Sequence, residues 1–352
     1  MLKQRKQHKI VISFIFAGSV ILSLWLLQRL VMPKYMSEVP EGAMIAEYYR
    51  EEKNHDVIFL GDCEVYDSFV PAILWEKYGI HSYIRGSAQQ LIWQSYYILE
   101  ETLRYETPKV VVFNVLALKY NAPQKESYNR MTLDGMKPSL IKLKAVNESM
   151  LEEEHTLEYI FPLLRYHSRI TELTEEDFRY LFQKDLVTHN GYYMRVDVVP
   201  VKEVPEARPL GDYSFGENAL AYLEKITKLC ETHNIKLVLV KAPTLYPHWY
   251  EPWEKQVEDY ALTHNLSYVN FLELTEECGI DYTTDTYDAG LHLNLSGAEK
   301  VTLWFGNFLQ RECELKDRRD EENLKEIWEK KLTDFYKDKE KKTSQWLSKS
   351  AG

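Results

Sequence analysis

Two kinds of apolar segment alternate along residues 56–312. Short, unbroken apolar runs bounded by turn residues occur at 56–61, 81–89, 108–118, 235–243 and 266–274. Such runs are typical of parallel strands that are covered on both faces. Longer segments carry apolar residues at helical spacing, at 71–79, 91–106, 217–234, 253–265 and 295–313. The pattern therefore predicts five strands that alternate with helices.

This alternation predicts an α/β fold, a flavodoxin-like three-layer sandwich with a parallel five-stranded sheet. Residues 119–215 interrupt the rhythm, and we interpret them as an insertion that forms a lid or cap. In the last helix of the domain, Ser296 and Glu299 fit a capping box. Residues 313–352 predict one charged amphipathic helix and a tail. The helix either docks on the body or a partner, or is mostly solvated.

An N-terminal apolar segment precedes this domain. Residues 10–27 carry no charge, and residues 30–32 extend the run past Gln28 and Arg29. A bilayer core needs about 20 such residues in a helix. The basic residues Lys3, Arg5, Lys6 and Lys9 all come before the run. The positive-inside rule then predicts a single-pass cell-membrane protein with a cytoplasmic N-terminus and an extracytoplasmic body. The competing interpretation is a cleaved signal peptide.

These observations give four regions. Residues 1–32 form the basic tip and transmembrane anchor, and residues 33–55 form a stalk. Residues 54–312 form the α/β domain with its insertion at 119–215, and residues 313–352 form the charged C-terminal helix and tail.

Composition narrows the functional classes. The net charge of −11 over 352 residues argues against a nucleic-acid binder, which needs a basic face. The four cysteines (Cys63, Cys230, Cys278 and Cys313) lie far apart, so their spacing predicts neither a zinc site nor a small disulfide scaffold. We expect no metal and no cofactor.

The first strand ends in Gly61-Asp62-Cys63. Ligands of open α/β sheets bind at the carboxyl ends of the strands. A thiol is a good nucleophile, and a better one when a neighbouring base removes its proton. Cys63 is therefore a candidate nucleophile, and a small buried residue at a turn is the alternative.

A candidate base lies near the end of the domain, in "DTYDAGLHLNLSGAEK". His292 precedes the last helix, and Asp288 or Asp285 could orient its ring. Three other histidines, His167, His189 and His248, are interpreted as surface or core residues.

Acyl transfer also needs hydrogen-bond donors for the oxyanion. The candidates are the Cys63 amide, Gly86 in the turn after the second strand, and Asn114 at the end of the third, with Asn121 as a substitute for Asn114. The candidate substrate-binding residues are Asp62, Ser87, Gln89, Arg130 and Asn294.

These blocks resemble the SGNH/GDSL hydrolase superfamily over roughly residues 54–312. That family carries a Gly-Asp-Ser block after strand one, a glycine after strand two, an asparagine after strand three and an Asp-x-x-His block before the last helix. The matching positions are Gly61 to Cys63, Gly86, Asn114 and Asp288 to His292, and "HLNLSGAEKV" is the most specific match. Two positions depart from the pattern: Cys63 replaces the serine, and the Asp288-to-His292 spacing is one residue longer.

The anchor and insertion resemble the membrane-anchored branch that modifies cell-envelope polymers, which includes the teichoic-acid D-alanylation esterase and the alginate-acetylation proteins. The resemblance implies a bacterial protein, of a Gram-positive cell envelope. It implies an acyl esterase or acyltransferase that acts on an envelope polymer or an acyl donor, beside a membrane-bound O-acyltransferase.

Two other classes stay open. One is a non-catalytic scaffold or glycan-binding partner of such an acyltransferase, and the other is a secreted lipase or esterase. The distance from the Cys63 sulfur to the His292 ring discriminates, because a separation beyond about 6 Å favours the scaffold.

Overall fold

The computed structural model describes residues 2–33, 41–182 and 186–350. Five parallel strands form one sheet in the order β2-β1-β3-β4-β5. Their bounds are β1 Val57–Gly61, β2 Ser82–Gly86, β3 Val110–Asn114, β4 Lys236–Lys241 and β5 Ser267–Asn270. The strand order reverses between β1 and β3, which places the topological switch point at their carboxyl ends. The predicted α/β fold with an all-parallel five-stranded sheet is confirmed.

Fourteen α-helices are present among the described residues. They are α1 Leu2–Val31, α2 Glu41–Glu47, α3 Cys63–Ser68, α4 Pro71–Tyr78, α5 Ile92–Thr102, α6 Glu126–Leu133, α7 Leu140–Ser149, α8 Thr156–Ile160, α9 Leu163–Tyr166, α10 Glu175–Phe182, α11 Glu217–Thr232, α12 Glu251–Thr263, α13 Leu295–Glu312 and α14 Glu322–Ser350. Short 3-10 turns at Tyr48–Arg50, Val115–Lys119 and His167–Thr171 complete the list.

Two apolar cores cover the two faces of the sheet. On one face β1 and β3 present Ile58, Leu60 and Phe113 to α5, α7, α11 and α12. On the other face Phe59 and Val112 pack against α3, α4, α13 and α14. The strands are buried on both sides, which explains why they read as unbroken apolar runs.

The N-terminal helix is apolar and largely exposed. Its segment Gln7–Val31 is long and apolar enough to cross a membrane, so α1 could anchor the protein in one. Residues 34–40 of the expected stalk lie outside the described residues. Residues 41–55 differ from a free stalk, because α2 and the turn after it bury Met44, Ile45 and Tyr48 against the body.

The insertion joins both cores. Leu133, Ile141 and Val146 from α6 and α7 extend the core beside α5, while Tyr192 and Met194 pack on the opposite face. The insertion therefore adds to the apolar core on both faces of the sheet, in addition to any role as a cap.

The C-terminal helix docks on the body. Leu324, Trp328 and Phe335 of α14 are buried, and the Trp328 ring stacks on Trp75 of α4 at a centroid distance of 5.4 Å. Of the two interpretations of residues 313–352, the structure shows docking on the chain's own body.

Candidate active site

Cys63 stands at the carboxyl end of β1, at the switch point of the sheet. The strand ends at Gly61, whose φ is +150°. A Cβ atom there would lie 2.5 Å from the Val65 Cγ2 atom and 2.9 Å from the Asn114 Cβ atom, so only glycine fits this turn. The Asp62 carboxylate then caps α3 by accepting from the Glu64 N–H at 3.2 Å. This turn makes Cys63 the first residue of α3.

His292 is held by a loop in which two consecutive residues are left-handed. Ala289 has a φ of +62° and Gly290 a φ of +98°. Thr286 ties the loop together: its Oγ1 atom accepts from the Gly290 N–H at 2.8 Å and donates to the His292 carbonyl at 2.8 Å. The tight turn brings Asp288 back over His292 despite the longer spacing.

The three residues form a continuous hydrogen-bonded chain. The His292 Nε2 atom lies 3.1 Å from the Cys63 Sγ atom. On the other side of the ring, the His292 Nδ1 atom lies 2.6 Å from the Asp288 Oδ2 atom. Asp288 Oδ1 also accepts from the His292 backbone N–H at 2.7 Å. The carboxylate thus holds both the ring and the backbone of the histidine, as an orienting group must.

The surroundings shift the proton affinities of this pair. Burial raises the pKa of the Cys63 thiol, because a lone thiolate is poorly solvated there, and the contact with His292 opposes the shift. Burial alone would lower the pKa of His292, but the adjacent sulfur and the Asp288 hydrogen bond raise it well above its ordinary value. Because each shift depends on the charge of the other group, the sulfur and the ring titrate as a pair.

Asp285, the alternative orienting residue, lies elsewhere. Its carboxylate is fully buried and accepts from Lys300 Nζ at 2.6 Å and from the Asp281 N–H at 2.8 Å. It supports the start of α13 and makes no contact with the His292 ring among the described interactions.

The expected oxyanion donors are only partly brought to the sulfur. The Nδ2 group of Asn114 donates to Asp62 Oδ1 at 3.1 Å and to Glu64 Oε2 at 2.9 Å. Both N–H bonds of this amide are therefore already used by carboxylates. Gly86 lies beside the turn, and a Cβ atom there would be 3.0 Å from the Gly61 carbonyl oxygen. Cys63 is the first residue of α3, so its backbone N–H is one of those that have no partner within the helix. Their oxyanion roles stay predictions.

Of the candidate substrate-binding residues, Asp62 and Gln89 line the cavity beside Cys63. Ser87 is buried and bonded to Gln90 and Thr132. Arg130 is buried in α6, where it pairs with Glu126 at 2.7 Å, and does not line this cavity.

Asn294, the last candidate substrate-binding residue, caps α13: its Oδ1 atom accepts from the Gly297 N–H at 3.3 Å. The helix begins at Leu295, so the capping box that Ser296 and Glu299 predict is wrong by two residues.

A buried ion pair that the sequence did not indicate involves Glu64, the residue after Cys63. Lys241, the last residue of β4, donates to Glu64 Oε1 at 3.0 Å and Oε2 at 2.9 Å. Both side chains are almost completely buried. A third bond to the Ala242 carbonyl at 2.6 Å occupies the ammonium fully. The pair therefore links α3, which begins at Cys63, to β4, next to β3 in the sheet.

A cavity of about 230 Å³ opens beside Cys63 and His292. Its lining exposes more apolar than polar surface and combines Ala88, Leu116 and Leu291 with Gln89, Lys119, Tyr120, Tyr128, Thr244 and His248. Tyr128 comes from the insertion, so this segment shapes the site. His248, which the sequence placed at the surface or in the core, lies at the cavity, where burial chiefly and then the nearby Lys119 lower its pKa.

A second carboxyl group flanks the histidine. Asp67 of α3 is buried and accepts from the Tyr287 hydroxyl at 3.0 Å. The Tyr287 ring in turn stacks on His292, with the two planes 9° apart. Burial raises the pKa of Asp67 to about 7. The His292 ring is thus held in its plane by a stacked tyrosine as well as by Asp288.

Among the described residues, no group of His, Cys, Asp or Glu side chains is arranged to hold a metal ion.

Comparisons with known proteins give little beyond this geometry. No family model matches the chain, and no curated protein matches it. One similar solved structure is that of a provisionally assigned acylhydrolase from Bacteroides fragilis, with a TM-score of 0.33 and 13% identity. The match covers 76% of this chain and 93% of that chain. A similarity of this size carries no argument about chemistry, so the function has to be supported by the site.

Proposed function

We propose that this chain is a membrane-tethered, thiol-dependent acyl esterase or acyltransferase that acts on the extracytoplasmic side of the cell membrane. The observation that carries the proposal is the Cys63–His292–Asp288 chain, with contacts of 3.1 Å and 2.6 Å. A nucleophile in reach of a base, with the base oriented by a third group, is the arrangement that covalent acyl transfer requires.

The reaction proceeds in two halves. His292 Nε2 takes the Cys63 proton while the sulfur attacks the acyl carbonyl carbon. The tetrahedral intermediate collapses, the leaving oxygen or sulfur receives the proton from His292, and a thioester remains on Cys63. In the second half an acceptor hydroxyl or water gives its proton to His292 and attacks the thioester. The departing thiolate then recovers that proton.

A thiol suits transfer in particular. A thioester keeps more transfer potential than an ordinary ester, so the acyl group can be passed to a hydroxyl acceptor. Gln89, Lys119 and Thr244 line the same cavity as Cys63 and offer hydrogen-bonding groups to a polar acceptor. The apolar part of the lining, with Leu116 and Leu291, offers space for an acyl chain. The hydroxylated cell-envelope polymer is therefore proposed from the sequence resemblance, and a plain esterase or lipase is the second candidate. A membrane-bound O-acyltransferase is the proposed partner.

The non-catalytic scaffold interpretation is weakened by the same contact. The sulfur-to-ring distance of 3.1 Å lies well inside the separation beyond which a scaffold would be favoured. One observation supports the scaffold interpretation: the Asn114 amide, an expected oxyanion donor, already donates to the carboxylates of Asp62 and Glu64.

The test is acylation of the full chain in detergent by p-nitrophenyl acetate, followed by intact and peptide mass spectrometry. We expect one acetyl group on Cys63, lost in Cys63→Ala and partly retained in Cys63→Ser. Cys313→Ala is the matched control, because that half-buried cysteine lies at the end of α13 and outside the cavity. The proposal would be overturned if ester turnover were unchanged in Cys63→Ala and the unsubstituted protein carried no acetyl group on Cys63.

A further inference from the structure

The last turn of α1 is packed against the body. Residues 7–26 of the helix are exposed, whereas Leu27 to Leu30 are half-buried and Val31 is buried. The elements that cover this turn are α9, the 3-10 turn His167–Thr171, and α10. All three belong to the insertion.

Two arginines fasten this junction. Arg169 Nη1 donates to the Val31 carbonyl at 2.7 Å, and so satisfies one of the carbonyls left open at the end of α1. From the other side, Arg29 Nη2 donates to the Leu181 carbonyl at 3.3 Å. The body therefore packs directly on the end of the apolar helix, and a bilayer crossed by α1 would have α9 and α10 at its surface.

Exposed apolar side chains concentrate in the same segment. Among the described residues of the body, eight large exposed apolar residues fall within residues 157–186: Leu157, Ile160, Phe161, Leu164, Ile170, Phe178, Phe182 and Leu186. Phe182 is 88% exposed. An apolar surface of this kind on a folded body marks an interaction site.

Helix α10 shows that the exposure is one-sided. Phe178 and Phe182 lie four residues apart and so share one face of the helix. Asp177 and Tyr180, on the other side, are buried against the body. The exposed surface of α10 also carries Glu175, Glu176 and Arg179. This mixture of exposed phenylalanines and charged side chains fits the interface between bilayer and water, where apolar groups insert and charged groups stay in the headgroup region.

We propose that Phe161, Leu164, Ile170, Phe178 and Phe182, here called the juxtamembrane patch, insert into the interfacial region of the bilayer that α1 crosses. The occupant is lipid because the patch is continuous with the junction to α1, and because interfacial elements bury their apolar faces about 5–10 Å into the headgroup and acyl boundary. The inference rests on the proposed membrane tether and is independent of the chemistry at Cys63.

The test uses the full chain reconstituted in phosphatidylcholine vesicles that carry a photoactivatable diazirine in the lipid acyl chain. After irradiation, crosslinked residues are mapped by mass spectrometry. We expect crosslinks along α1 and at Phe178 and Phe182. Leu262, which is 82% exposed on α12, is the matched control and should stay unlabelled. The double variant Phe178→Ser/Phe182→Ser should reduce crosslinking at Phe161 and Leu164 severalfold, whereas Leu262→Ser should not.

Two outcomes overturn the inference and differ from each other. Labels confined to α1 would show that the tether is right and that the patch faces something other than lipid, such as a partner membrane protein. Absence of labels on α1 as well would overturn the tether, and the patch with it. Neither outcome bears on acylation of Cys63, which is measured separately.

Discussion

The Nε2 atom of His292 lies 3.1 Å from the Sγ atom of Cys63, although 229 residues separate the two in sequence. Cys63 follows β1, and His292 precedes α13, which packs against α3. The contact therefore depends on the packing of α3 and α13 on the same face of the sheet. It also depends on the loop before α13, which places the His292 ring within hydrogen-bond distance of the sulfur.

Asp288→Asn should slow ester turnover and shift its pH dependence. The carboxylate raises the pKa of His292 through its hydrogen bond, so a neutral amide lowers that pKa. The base is then unprotonated at lower pH, and the acidic limb of the kcat/KM profile should move to lower pH. The lost orientation should reduce kcat by roughly 10²- to 10⁴-fold.

Asp285→Asn is the control for that variant. Its carboxylate bonds Lys300 and the Asp281 N–H rather than the histidine, so the variant should lose stability without moving the acidic limb. An equal shift of the limb in both variants would contradict the assignment of Asp288.

The buried pair Glu64–Lys241 should show strong coupling in the free energy of unfolding. Lys241→Met or Glu64→Gln alone leaves an uncompensated buried group, at a cost of about 3–5 kcal/mol. The double variant should recover a large part of that loss, because neither charge then remains buried. Urea unfolding of the full chain in detergent measures the cycle. Additive losses would show that the two side chains do not depend on each other.

His81 should make the protein less stable as the pH falls. Burial, and then the stacked His55 ring, lower the pKa of His81 in the folded state. The unfolded chain takes up a proton at His81 below its ordinary pKa of about 6.5, whereas the folded protein does not. The contribution of His81 is therefore fully present above that pH and falls by about 1.4 kcal/mol per pH unit below it.

The variant His81→Asn isolates this effect. Asparagine can still accept the hydrogen bond that Trp328 Nε1 gives to His81 Nδ1 at 3.0 Å, but it does not titrate. Unfolding free energies measured between pH 7.5 and 5 should fall less steeply in the variant. Buried carboxyls such as Asp67 and Glu47 are common to both proteins and cancel in the comparison. Identical slopes would contradict the prediction.

Trp328 should dominate the docking of α14. Trp328→Ala removes the stack on Trp75 and a fully buried side chain, so it should cost about 3–5 kcal/mol of stability. Trp328→Phe keeps much of the stack and should cost less. Leu347, which is 54% exposed on the same helix, offers the control, and Leu347→Ala should change stability by no more than about 0.5 kcal/mol. Thermal unfolding of the three variants gives the comparison.

The sheet could be predicted from sequence because each strand is buried on both faces and carries its own local signal. Val110 to Phe113 is apolar throughout, and a glycine or an asparagine ends each of the first three strands. The placement of Cys63 and His292 at one edge of the sheet followed from the same alternation.

Other parts of the site could not be predicted. Lys241 at the end of β4 resembles any polar residue that closes a strand, and its burial comes from Glu64, which is 177 residues away. The commitment of Asn114 to carboxylates likewise depends on tertiary contacts with Asp62 and Glu64. The packing of α9 and α10 on the end of α1 is a tertiary contact, and the local sequence pattern of these helices does not specify which surface they cover.

The left-handed pair Ala289 and Gly290 has a consequence for recognising chains of this kind. One extra residue is absorbed in the backbone of the loop, and the bond between the carboxylate and the ring is kept at 2.6 Å. A search string that requires two residues between the aspartate and the histidine therefore passes over this chain. A structural criterion based on the contact between the aspartate carboxylate and the histidine ring would retain it.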